Sequence, residues 1–123
     1  MTPQHFQIED HGRVFVVRPT YDRLPPEDEL RREALAIAAA WDASAARDLI
    51  IDLAALPYFG SATLGWMVTL WKKVREREGK LVLCSLSEVG GQILVATRFH
   101  SVWLTAADRA AAFALLGGFA PSA

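Results

Sequence analysis

Leu49-Ile50-Ile51-Asp52-Leu53 leads through a loop, Ala54 to Gly60 with Pro57 inside it, into a helical segment from about Ala62 to Glu78 that stops at Gly79. A single acid breaks the apolar run, so the run has no polar face to show to water. A strand written this way is covered on both sides, as in the middle of a parallel sheet. Leu81 to Ser85 repeats the signal after the helix. Strand, helix and strand in that order predict parallel strands joined by a right-handed crossover. Gly79 suits the residue that closes a helix.

Working outward from this unit, Phe6 and Ile8 alternate with polar residues and predict a half-exposed edge strand. Asp10-His11-Gly12-Arg13 is a turn in which Gly12 can take a positive φ, and Val14 to Val17 returns as the second strand of a hairpin. Pro25 and Pro26 open a helix to about Ala43, with Glu27, Asp28 and Glu29 at its positive end. Its apolar stripe is Leu30, Ala34, Ile37, Ala38 and Trp41. Downstream, Ser87 caps a short helix to about Thr97, and Val102-Trp103-Leu104 reads as a last strand. Thr105 with Asp108 reads as a capping box for a final helix ending at Gly117-Gly118. The prediction is one α/β domain over residues 1–123, in the order β-β-α-β-α-β-α-β-α. Its mixed sheet has the first strand antiparallel at one edge and the Leu49 and Leu81 strands inside.

Composition narrows the function. The 13 basic and 14 acidic side chains nearly cancel, which speaks against a nucleic-acid binder and its basic face. The lone cysteine, Cys84, lies in an apolar run and reads as a small buried hydrophobe in a reducing cytoplasm. No second Cys or nearby His suggests a metal site, and no motif calls for a cofactor. Gly90-Gly91 is at most a weak anion-binding candidate. The start, Met1-Thr2-Pro3-Gln4-His5, does not read as a signal peptide, and no run approaches membrane-spanning length. The expectation is a cytoplasmic protein without membrane insertion.

At 100° per residue, Leu64, Met67, Val68, Trp71 and Val74 form the predicted buried stripe of the long helix. Trp66 falls on the other side with Ala62, Thr69, Lys73 and Arg77. A large aromatic there is either an exposed partner anchor or tucked against a neighbouring loop.

The stretch from Leu49 to Gly65, LIIDLAALPYFGSATLG, resembles the signature of STAS domains, found in sulphate transporters and anti-sigma factor antagonists. Val74 to Leu83 is similar to the family's helix end and following strand, and the order of elements agrees from about Phe6 to Leu116. The chain departs from the signature at Gly60, where an Asp is usual, and at Thr63, where a Gly is usual. Pro19-Thr20-Tyr21-Asp22 stands where the family has Gly-Glu-Leu-Asp. The resemblance implies a partner-binding module of the anti-sigma factor antagonist type, whose partner is an anti-sigma factor or kinase-like protein. It implies phosphorylation at Ser61; Thr63, in the same first turn, is a lesser candidate acceptor, and the helix face that carries Trp66 predicts a docking surface of Gly60, Ser61, Ala62, Trp66 and Thr69. A non-switching STAS module, acting as a scaffold in a stress-signalling complex or as a transporter's accessory subunit, stays open beside it.

Read from the residues alone, Ser61 is a preferred N-cap, Thr63 a solvated first-turn residue, and Asp52 a partner for the loop after its strand. Gly60-Ser61-Ala62-Thr63-Leu64-Gly65 lacks the spacing of a nucleophile elbow. His5, His11 and His100 are not placed to serve Ser61 as a base. No catalysis is expected, and the chain is expected to be mainly monomeric.

Overall fold

The computed structural model describes residues 4–117. Its elements are β1 (Phe6–His11), β2 (Val14–Pro19), α1 (Glu27–Ala43), β3 (Asp48–Asp52), α2 (Ser61–Glu76), β4 (Leu81–Cys84), α3 (Glu88–Thr97), β5 (Leu104–Ala106) and α4 (Arg109–Leu115). One 3₁₀ turn, Phe99–Ser101, precedes β5. The strands pair in chain order, β1-β2-β3-β4-β5, with β1 antiparallel to β2 and the other neighbours parallel. The apolar strands β3 and β4 lie inside the sheet, as their composition requires. Gly12 closes the hairpin at φ 79°, and Asp10 accepts its N–H at 2.9 Å.

The strand order never reverses, so right-handed crossovers place every connecting helix on one face. Phe15, Val17, Leu49, Ile51 and Leu83 point to that face, beneath Trp41 of α1, Met67 of α2 and Leu94 of α3. The alternate residues Val16, Ile50 and Val82 point the other way and meet Ala112, Phe113 and Leu116. The short α4 and its end therefore cover the second face.

Arg109 fastens α4 in place. Its Nε donates to Asp52 Oδ2 at 2.7 Å and its Nη1 to Glu9 Oε2 at 2.7 Å. Asp52 also accepts the Ala54 N–H at 3.0 Å, the loop contact expected of it. Partial burial pushes the Glu9 carboxyl up, but hydrogen bonds from Arg109 and His11, with their charges, hold it below its ordinary value of 4.5.

Several expectations need correction. The first helix begins at Glu27, with Pro26 as its N-cap. The last strand starts two residues later than predicted, because Trp103 turns into the core and stacks on Phe99 at 4.3 Å. Thr105 belongs to β5, and Asp108 alone caps α4, accepting the Ala111 N–H at 2.8 Å. Gly79 is needed for space: Glu78 carries the positive φ of 57°, and a Cβ on Gly79 would strike the Arg47 carbonyl.

The largest correction concerns α2. Its buried residues are Thr63, Trp66, Met67, Leu70 and Val74, while Leu64, Val68 and Trp71 are half-buried. The helix is rotated toward α1 because two aromatic residues receive Trp66 there. Phe6 meets it edge-on at 5.2 Å, and the Tyr21 hydroxyl accepts its indole N–H at 3.5 Å. Trp66 is therefore not an exposed anchor.

Gly79→Ala should destabilise the fold by about 1–3 kcal/mol, since backbone must move. Gly65→Ala, at an exposed α2 position with open space around it, should stabilise by about 0.5–1 kcal/mol. Urea unfolding of the two variants checks both signs. Arg109→Met should cost about 3 kcal/mol by leaving the buried Asp52 without its cation. Because folding lowers the Glu9 pKa, its contribution is present above pH 4.5 and fades as pH falls below it. Arg109→Met should flatten that part of the stability–pH curve.

Candidate functional site

Two loops meet at the carboxyl ends of β2 and β3, the end of a parallel sheet where α/β proteins usually place their sites. The first follows β2 and carries Tyr21 and Leu24; the second follows β3 and carries Tyr58, Phe59 and Gly60. Between them and the start of α2 lies an open groove of about 330 Å³. Leu24 is 58% exposed and Tyr58 68% exposed. Neither is soaked up by the core, so the groove has an apolar rim.

The second loop is held from behind. Ser87 donates its hydroxyl to the Pro57 carbonyl and accepts the Gly90 N–H at 2.9 Å. Phe59 is buried against Gly90, where a Cβ would approach its ring to 3.3 Å. The Gly90 and Gly91 N–H groups are both spent on Ser87, which removes the anion-binding reading of that pair.

Ser61 is exposed and stands as the first residue of α2, not as its cap. Gly60 occupies the cap position, and no side chain caps this helix. No acid lies in its first turn. The capping role expected of Ser61 is therefore not what places it there. The first-turn N–H groups keep their partial positive charge beside the exposed hydroxyl. A Cβ on Gly60 would meet nothing within 4 Å, so the approach to Ser61 is open.

Thr63 is not the solvated residue expected. It is 2% exposed, and its Oγ1 is 2.7 Å from the Tyr21 hydroxyl. That bond lets a polar group be buried in the first turn, and it ties α2 to the β2–α1 loop. It also removes Thr63 as an accessible phosphate acceptor. Of the proposed docking residues, Gly60, Ser61, Ala62 and Thr69 are exposed and Trp66 is buried. Composition and spacing gave no sign of the exposure of Leu24 and Tyr58, since a loop residue's exposure depends on which neighbours fold over it.

The histidines are engaged elsewhere. His11 Nε2 lies 2.9 Å from Glu9, and His100 Nδ1 lies 3.4 Å from the Leu94 carbonyl. His5 comes together with Glu29 and Glu33, a grouping that the sequence did not suggest, because the residues lie 24 and 28 positions apart. Burial pushes the Cys84 thiol up to about 11, with the nearby Asp52 charge adding to it, as befits a core residue. Among the described residues no helix is long and apolar enough to cross a membrane.

The sequence matches the STAS domain family over residues 25–112. No curated protein matches it significantly. Among solved structures, an anti-sigma-factor antagonist (STAS) domain protein from Planctomyces limnophilus superposes with a TM-score of 0.78 at 24% identity, covering 92% of this chain and 98% of that one. The anti-sigma factor antagonist SpoIIAA in its unphosphorylated form gives 0.72 at 17% identity, covering 91% and 96%. At these identities the likeness establishes the mixed α/β fold. With the family match spanning most of the sequence, from the start of the first helix region into α4, the chain belongs to the STAS domain family.

Proposed function

We propose that this chain is a regulatory module that binds an anti-sigma factor or kinase-like protein through the start of α2, and that phosphorylation of Ser61 releases that partner. One observation carries the reading: Ser61 is exposed at an uncapped helix start, directly beside a groove rimmed by Leu24 and Tyr58. The docking surface comprises Gly60, Ser61, Ala62 and Thr69, extended by the two rim residues. Trp66 drops out of it as a contact and acts from beneath, by holding α2 against Phe6 and Tyr21. The chain works by binding, as a cytoplasmic monomer, and the reading requires no catalysis.

The energetics of such a switch are asymmetric. A phosphate on Ser61 carries about two negative charges. The open N–H groups of α2 favour that charge by up to about 1 kcal/mol, so the fold tolerates it. A partner packed over the same spot must desolvate the phosphate at a cost of several kcal/mol. That difference corresponds to a hundredfold or more in affinity.

Gly60, standing where the family signature has Asp, favours a second reading. A module that lacks the acid beside its serine can keep the docking surface as a fixed scaffold and never be switched.

Ser61→Asp separates these readings. It should leave thermal stability within about 1 kcal/mol, because an acid suits the first turn of a helix. Under the switching reading it should weaken binding to the native partner, recovered on the wild-type chain from the host, by about a hundredfold. Phosphopeptide mapping of the chain from host cells should then find the phosphate on Ser61. Unchanged binding together with an unmodified Ser61 would establish the scaffold. Tyr58→Ala should weaken the partner by about 2 kcal/mol under either reading, measured by calorimetry. Trp66→Ala should instead show up in folding, with a loss of about 3–5 kcal/mol in urea unfolding.

A further inference from the structure

We propose that His5, Glu29 and Glu33 form a binding site for a divalent transition-metal ion of the zinc type, at the junction of β1 and α1. Glu29 and Glu33 are four residues apart in α1 and so share one face of its first two turns. His5 enters just before β1 and lies across them. Its Nε2 is 2.9 Å from Glu29 Oε1 and 3.6 Å from Glu33 Oε2. One ligand atom from each of the three residues lies within 4.8 Å of the others.

Glu33 points to a ligand independently of that clustering. The residue is 3% exposed, and its Oε1 accepts the His5 backbone N–H at 2.7 Å. Its Oε2 is fully buried, has no hydrogen-bond partner and is turned toward the His5 ring. A buried carboxylate oxygen left in this state is costly. The basic residues of the same helix do not relieve it, because Arg31 and Arg32 turn to Glu27 and Asp28. Among the described residues no Lys or Arg pairs with Glu29 or Glu33.

The geometry suits a small ion. Zinc holds nitrogen and oxygen ligands at about 2.0–2.2 Å in a tetrahedron, whose edges are then about 3.4 Å. The two distances from His5 Nε2 lie on either side of that value, and all three ligand atoms lie within 4.8 Å of one another, so the side chains need only close in around the ion. Two carboxylates and a neutral imidazole balance a divalent charge. The imidazole selects zinc, cobalt or nickel over calcium and magnesium, which prefer oxygen alone. His5 and Glu29 are each about one-third exposed, with side chains at 30% and 34%, which leaves a fourth position to water. The ion would pin the chain next to Phe6, whose ring packs against both Tyr21 and Trp66.

The test uses the full chain, free of any purification tag and stripped with chelator, and titrates it with Co²⁺ alone. The expected result is a visible d–d spectrum of the intensity typical of four-coordinate cobalt, saturating at one ion per chain and displaced by Zn²⁺. Calorimetry with Zn²⁺ should show His5→Ala and Glu33→Gln weakening binding by about tenfold or more. Glu29→Gln, at a partly exposed position, serves the same purpose should Glu33→Gln fail to fold. His11→Ala and His100→Ala should bind as the wild type does. A cobalt spectrum that stays that of the aqua ion at millimolar metal would overturn the proposal. So would stoichiometric zinc binding that survives both His5→Ala and Glu29→Gln, leaving the cluster a set of hydrogen bonds without a metal role.

Discussion

Crossovers that always step the same way across a sheet leave no choice about where the helices go. β2 to β5 lie side by side in chain order and are all parallel. Consequently α1, α2 and α3 share one face, and none of them can shield the other. Val16, Ile50 and Val82 on that second face depend on α4 and on Leu116 just beyond it. A helix of 7 residues is too short to be stable alone. It persists through the apolar contacts of Ala112 and Phe113 and through Arg109, which reaches both a central and an edge strand.

The same constraint shapes the candidate site. With no reversal in strand order, the sheet lacks the crevice in which doubly wound proteins hold nucleotides. What it offers at its carboxyl end is the exposed start of α2, framed by two loops. The Tyr21–Thr63 hydrogen bond fixes one loop to that helix, and Ser87 fixes the other to α3. The result is an exposed helix start beside an open groove, with both flanking loops tied down by hydrogen bonds.

Most of the architecture was legible in the sequence because it rests on patterns of short range. The runs at Leu49 and Leu81 announced doubly covered strands, and Gly12 and Ser87 marked a turn and a cap where the structure has them. The rotation of α2 was not legible. A helical wheel identifies an apolar arc but not which flank has the better partners, and Phe6 and Tyr21, distant in sequence, decided it in favour of Trp66. Gly79 was assigned to a helix ending, where Gly commonly stands, yet the constraint on it comes from Arg47 in another connection. Ser61 and Ala62 at the site follow from the family signature. The burial of Thr63 and the exposure of Tyr58 are products of tertiary packing that no local spacing encodes.

β3 sits between strands on both edges and beneath side-chain layers on both faces. Local fraying cannot reach its amides, so their exchange with solvent reports opening of the whole domain. β5, only 3 residues long at the sheet's edge with Leu104 and Thr105 exposed, opens separately and at much lower free energy. The loop bearing Tyr58 and Gly60 grows directly out of the most protected strand. Any pull on that loop would therefore load the most resistant part of the molecule, and the mechanical path from that loop to the core bypasses the edge that yields first.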